Sequence, residues 1–213
     1  MRFMEPYPPE CLAHFATNLG RVSSLVKGYT QRDLPAEMSP AQTDLLRATV
    51  VFLHASLEDL LRSLEERHID HQVEAGDGLA GVPFAFDAAR ASKEKISLAE
   101  LAEHHLHRPV REVVRISLAR ELASRSYNNL QEVDQAMRRV GLRLTLDAHQ
   151  RQALNVMIAR RHHIAHRADR ASAPGLRHHS VLPLHLDDVN AWIDIVRAIG
   201  DAVDQQLTPR RNE

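Results

Sequence analysis

Residues 46–64 read LRATVVFLHASLEDLLRSL. Within this stretch Leu46, Val50, Leu53, Leu57, Leu60, Leu61 and Leu64 fall at steps of three and four. On an α-helix that spacing collects them on one apolar face. Arg47, His54, Glu58, Arg62 and Glu65 fall on another side, and Glu58 and Arg62 are spaced to pair across one turn. Ser39-Pro40 stands upstream as an N-cap followed by proline at the first helical position. The stretch therefore predicts a long amphipathic helix from about residue 40 to about residue 71.

Working outward, the same periodicity predicts seven helices in all. The first covers about residues 9–30. After the long helix, residues 73–95 read as a loop, because Gly76, Gly78, Gly81 and Pro83 interrupt any helix there. Phe84 and Phe86 are placed to tuck that loop onto a core. Ser97-Leu-Ala-Glu100 is a capping-box signature opening a third helix. Pro109 starts a fourth, to about Ser126, and Tyr127-Asn-Asn129 is a turn. A fifth helix runs from about Leu130 to Val140 and stops at Gly141. A sixth spans about residues 146–169. A polar segment follows, with Pro174, Gly175, Arg177, His178 and His179. The last helix runs from Asp187-Asp188 to about Leu207, with Val189, Trp192, Ile193, Val196, Ile199 and Val203 on its apolar face. Seven helices with mostly short connections imply an all-α helical bundle. Residues 1–38 form an N-terminal helical segment packed on the bundle of residues 39–207, and 208–213 form a flexible tail.

Bulk properties narrow the function. The 213 residues suffice for one compact domain with a sizeable core. With 27 Lys and Arg against 28 Asp and Glu, the chain carries no global basic footprint for nucleic acid. Aromatic residues make up 4%, too few for a base-stacking platform. Fourteen His would add charge below neutral pH. A lone cysteine, Cys11, rules out an internal disulfide and reads as a core residue, with no activating pattern around it. No signal-peptide core precedes Glu10, and the longest apolar run, residues 48–53, is far short of a membrane span. These features predict a cytoplasmic protein with no membrane association. No Gly-rich phosphate loop, nucleophile elbow or kinase signature is present.

The chemistry concentrates at residues 159–170, ARRHHIAHRADR, which hold four Arg and three His. Leu154, Met157 and Ile158 mark the buried face of this helix, and the same row continues to Arg161 and Ala165. A guanidinium on an apolar row needs a partner or a task. His162 and His166 lie one above the other on the adjacent flank. The bland reading is a solvated basic helix end, favoured by the helix dipole. A zinc pair at His162 and His166 is a rival, with a third ligand from His163, His178, His179 or His185. The neighbouring arginines would repel a dication, so the expectation is no metal and no cofactor. The cluster His104, His105 and His107 reads as a solvated helix end.

Arg161-His162-His163-Ile164-Ala165-His166 resembles the R-x4–6-H motif of HEPN ribonucleases in its four-spacer form, with a polar residue after the Arg. The continuation Arg167-Ala168-Asp169-Arg170 resembles the RiboL-PSP-HEPN branch. Residues 49–64, with Ser56-Leu57-Glu58, are similar to the Glu-bearing early helix of that branch. Residues 128–142, ending in Val140-Gly141-Leu142, are similar to its middle helix and turn. The resemblance spans roughly residues 41–207. It implies a homodimeric bundle with motif helices facing each other, and cleavage of RNA without metal. It also implies a role as toxin or phage-defence effector, with an antitoxin or regulatory protein as a further partner. Arg161 and His166 match the catalytic positions and His162 the polar one. Arg160 and Arg167 are supporting or phosphate-binding candidates. Glu58 reads either as a supporting acid or as the plain partner of Arg62.

The residue types suit that reaction. Attack of a ribose 2′-hydroxyl on the adjacent phosphate needs a base, an acid for the leaving 5′-oxygen, and positive charge for the crowded phosphorane. His166 can take or give the proton, and Arg161 offers fixed, forked donors. On one ideal helix the two diverge by about 140°, so a facing helix would help assemble the site. The alternative is a non-catalytic module that binds RNA or a protein through the same helix.

Overall fold

The computed structural model describes residues 10–30, 40–76, 79, 82, 98–171 and 181–208. Seven helices run through them: α1 (Glu10–Thr30), α2 (Pro40–Ala75), α3 (Leu98–His105), α4 (Val110–Ser124), α5 (Leu130–Arg139), α6 (Ala148–Arg167) and α7 (Leu186–Leu207). The fold is all-α. Among the described residues the only β feature is an isolated antiparallel bridge between Arg170 and Val181. None of these helices is long and apolar enough to cross a membrane. The expected capping box at Ser97, the Phe84 and Phe86 anchors and the His178-His179 pair lie outside the described residues.

Helix ends follow local chemistry. α2 runs one turn past the expected stop, to Ala75. Gly76 then turns left-handed at φ 70° and gives its N–H to the Gln72 carbonyl. α5 is capped at its start by Asn129, whose side chain accepts the Glu132 N–H. It ends in a Schellman turn: the Leu142 N–H reaches the Met137 carbonyl and the Gly141 N–H the Arg138 carbonyl. Gly141 sits at φ 76°, where a Cβ would be strained. α6 opens on a full capping box, Asp147 and Gln150 exchanging side-chain and backbone hydrogen bonds.

The chain forms two compact units. The first comprises residues 1–61 and 127–213. In it α6 packs on α5 and α7, and α1 packs on α7. Its core takes Phe15, Leu19 and Val22 from α1, and Leu46, Val50, Leu53 and Leu57 from α2. Leu154, Met157 and Ile158 come from α6, with Trp192, Val196, Ile199 and Val203 from α7. Cys11 is buried in the same unit. α1 and α7 approach closely at Gly200, where a Cβ would lie 2.2 Å from the ring of Phe15.

The second unit is residues 62–126. Ile69, Leu118 and Leu122 form its small core, with Val73, Leu79, Val82 and Val114 against them. Arg62 gives one Nη to the Leu122 carbonyl (2.7 Å) and the other to Arg125 (3.0 Å), satisfying carbonyls at the end of α4. Glu65, 4% exposed, accepts from Arg125 at 2.7 Å.

The polar side of α2 is partly internal: Arg47, His54 and Glu65 are all buried. Each is tolerated because a partner from a distant segment meets it: Asp169, the Tyr127 carbonyl and Arg125 respectively.

Candidate active site

α6 carries the motif on a helix fixed at both ends. Its buried row of Leu154, Met157 and Ile158 leads to Arg161, as the periodicity predicts. Arg161 is half-buried and held by two acceptors. Its Nη1 donates to Asn128 Oδ1 (3.1 Å), and its Nη2 lies 3.5 Å from Glu58 Oε2. Asn128 is itself set by its N–H, which Glu132 Oε2 accepts at 2.6 Å just ahead of α5. The buried Nε of Arg161 has no hydrogen-bond partner.

Glu58 is the hinge of this arrangement. Its Oε2 faces Arg161 on one side and His54 Nδ1, at 3.6 Å, on the other. The hydrogen bond from His54 holds its carboxyl below the usual carboxylate range. The charges of His54 and Arg161 and the Tyr127 backbone act the same way, against an opposing push from burial.

His162 and His166 are both exposed, and their rings stack at 4.4 Å with a 46° tilt. Arg167 is exposed as well. The flank beyond the Arg161 row is thus open to a partner or substrate.

Arg160 faces another way. One Nη donates to Asp169 Oδ2 (2.7 Å), and to the carbonyls of Leu182 and Pro183 (both 2.9 Å). Asp169 is fully buried and also accepts from Arg47 Nε at 2.8 Å, while His163 Nδ1 lies 3.3 Å from its other oxygen. Arg47 Nη2 reaches the Leu182 carbonyl at 2.8 Å, and the Leu182 N–H returns to the Asp169 carbonyl at 2.9 Å. Ala168 and Asp169 both lie left-handed, at φ 47° and 57°. Such conformations cost non-glycine residues energy and persist where surrounding contacts hold them. This clamp ends α6 one turn after His163 and so fixes the turn that carries His166.

Sequence reasoning missed three participants. Asn128 was visible only as part of a turn, His54 as one polar residue on an amphipathic helix, and Asp169 as a letter in the motif's continuation. Among the described residues no group of three or more His, Cys, Asp or Glu is arranged to hold a metal ion.

The model of the RiboL-PSP-HEPN family matches residues 18–209, nearly the whole chain. The chain belongs to the RiboL-PSP-HEPN family. The match takes in α2 through α7 and the greater part of α1, so Glu58, Asn128, Arg161 and His166 all lie within it. No curated protein and no solved structure matches the chain. For this RiboL-PSP-HEPN chain, what the residues do rests on the geometry of α6 and its neighbours.

Proposed function

We propose that the protein is a metal-independent endoribonuclease in which Arg161 and His166 carry the reaction. The observation that bears most weight is the contrast along α6. Arg161 is anchored by Glu58 and Asn128, while His162, next in the chain, and His166, about a turn on, stand exposed with their rings in contact.

In this reading the ribose 2′-oxygen attacks the adjacent phosphorus as an imidazole nitrogen takes its proton. The P–O5′ bond breaks, and the leaving oxygen takes a proton from a second imidazole. The products are a 2′,3′-cyclic phosphate and a 5′-hydroxyl. Arg161 stabilises the charge on the phosphorane through donors already held in place. His162 or His166 supplies each proton transfer. Arg161 and His166 diverge on one helix by about 140°. A homodimer would solve this, because the exposed histidine flank of one α6 then meets the Arg161 row of the other. Arg167 joins as an exposed phosphate contact. Arg160 supports the site through Asp169 rather than by touching RNA.

The test is cleavage of total cellular RNA in EDTA by the wild type and by His166→Ala. Cleavage by the wild type alone, with cyclic phosphate ends, supports the proposal. A folded wild type that leaves varied RNAs intact, yet binds them with strong salt dependence, points to a non-catalytic binding module. A toxin or defence role adds a second outcome: growth arrest on expression of the wild type and none with His166→Ala.

A further inference from the structure

Two asparagines stand side by side just ahead of α5, and their carboxamides have different roles. Asn129 gives its side-chain oxygen to the Glu132 N–H and so caps the helix. Asn128 has no part in that cap. Its Oδ1 accepts from Arg161 Nη1 at 3.1 Å, and its own N–H is held by Glu132 Oε2 at 2.6 Å. A guanidinium only donates, so the carboxamide has one permitted orientation: Oδ1 toward Arg161 and Nδ2 away from it. Asn128 is exposed, and its Nδ2 has no hydrogen-bond partner among the described residues. Beside it, Arg161 Nη2 meets only Glu58, at 3.5 Å, which leaves guanidinium protons uncommitted. This corner therefore offers donors alone. An asparagine that reads a nucleobase edge uses its oxygen as well as its nitrogen, and here the oxygen is taken. The fitting ligand has acceptors only, as the two non-bridging oxygens of a phosphate diester do.

We propose that Asn128 is a substrate-contacting residue of the Arg161 site, its Nδ2 donating to one non-bridging oxygen of the scissile phosphate while Arg161 meets the other. The inference rests on the ribonuclease reading for the identity of the ligand, and on the Arg161–Asn128 hydrogen bond for its geometry. Both non-bridging oxygens carry charge in the phosphorane, and each then faces a donor already held in place. Arg161 supplies positive charge, and the neutral carboxamide supplies direction. The two also reinforce each other: a guanidinium drawing on Oδ1 polarises the amide and makes its Nδ2 protons better donors.

Two measurements on the full chain decide this, both with a 2′-O-methyl oligoribonucleotide, which presents phosphates but has no 2′-hydroxyl to react. The first follows the side-chain amide 1H–15N signals of Asn128, assigned by their loss in Asn128→Ala. They should shift along the same saturation curve as binding, while those of Asn129, engaged in the cap, shift far less. Unmoved Asn128 signals at saturation overturn the proposal. The second ranks affinities. Asn128→Ala should weaken binding about tenfold or more, through loss of a hydrogen bond to a charged group. Asn128→Asp should weaken it further, because its carboxylate still accepts from Arg161 but turns an oxygen toward the phosphate. If Asn128 served only to hold Arg161, aspartate would do so at least as well as asparagine. An Asn128→Asp that binds more tightly than Asn128→Ala therefore marks a positioning residue and sinks the idea. Cleavage of RNA by the wild type is scored separately. A wild type that binds without cleaving, with Asn128 signals moving, keeps this contact and fails the ribonuclease reading. Cleavage with unmoved Asn128 signals does the reverse. A wild type that does not bind the probe overturns the contact, and cleavage then judges the ribonuclease reading by itself.

Discussion

Arg47, in the second turn of α2, places its Nε 2.8 Å from the carboxylate of Asp169, which follows α6 and is separated from it by 122 residues of chain. Arg160 meets the same oxygen at 2.7 Å. Two guanidinium groups thus converge on one fully buried carboxylate at the point where the motif helix ends. Removing Asp169 would leave both cations without their main acceptor. Asp169→Ala should destabilise the fold by about 3–5 kcal/mol, the range for breaking one side of a buried ion pair. Denaturant unfolding checks this; a loss below about 1 kcal/mol would mean that water replaces the carboxylate.

The two motif residues should separate stability from activity in different ways. His166 is exposed, so His166→Ala should change stability by no more than about 0.5 kcal/mol. Under the proposed ribonuclease reading it should also lower RNA cleavage by about 100-fold or more, as expected for a lost acid or base. Arg161→Lys should also lose most activity despite keeping its charge, because an ammonium cannot present the forked donors that Glu58 and Asn128 orient. Cleavage rates beside melting curves of the same preparations provide the comparison.

Glu58 links the site to pH. Its carboxyl titrates below its ordinary value when folded, chiefly through the hydrogen bond from His54. A depressed carboxylate contributes stability that is fully present above its unfolded pKa, near 4.5, and is lost as pH falls through the lower folded value. The wild type should therefore lose stability on acidification across and below pH 4.5 more steeply than Glu58→Gln does. Parallel slopes in denaturant melts taken over that window would remove Glu58 from the linkage.

His68 gives a second window in the other unit. Burial, and then the neighbouring His71, hold its imidazole below the usual value of 6.5. The unfolded chain therefore takes up this proton first, and the contribution present above pH 6.5 falls away as pH drops through the lower folded value. His68→Gln should flatten the stability profile in that range. An unchanged profile would assign the slope to other histidines.

Gly200 tests the α1–α7 contact. A Cβ there would fall 2.2 Å from the Phe15 ring, which is itself buried and unable to swing into solvent. Gly200→Ala should cost about 1–3 kcal/mol through overpacking, although alanine is the better helix former. A companion Phe15→Leu change should recover part of that loss, which distinguishes a clash from a backbone effect.

Some of this protein is legible one segment at a time. The three- and four-residue spacing of Leu46 to Leu64 specifies α2. Asp147 marks the start of α6, and Gly141 stops α5 in a left-handed turn. These signals work because helix periodicity and capping involve residues within about one turn of each other. The row that carries Leu154, Met157 and Ile158 on to Arg161 is local in the same sense, as is the stacking of His162 on His166.

By itself, then, the sequence determined the seven helices, most of their ends and the presence of a cationic motif on α6. Only the tertiary structure decided what each cation does. Arg160 and Arg161 are neighbours of the same type, separated by about 100° around the helix. One is drawn to Asp169 and the carbonyls of Leu182 and Pro183, the other to Glu58 and Asn128. His54 and Glu65 sit on the polar side of α2, opposite its leucine row, yet partners far along the chain meet them inside. The physical reason is that a polar side chain is stable inside only where a hydrogen-bond partner meets it. Those partners arrive through packing, so no count of residues along one helix can reveal them.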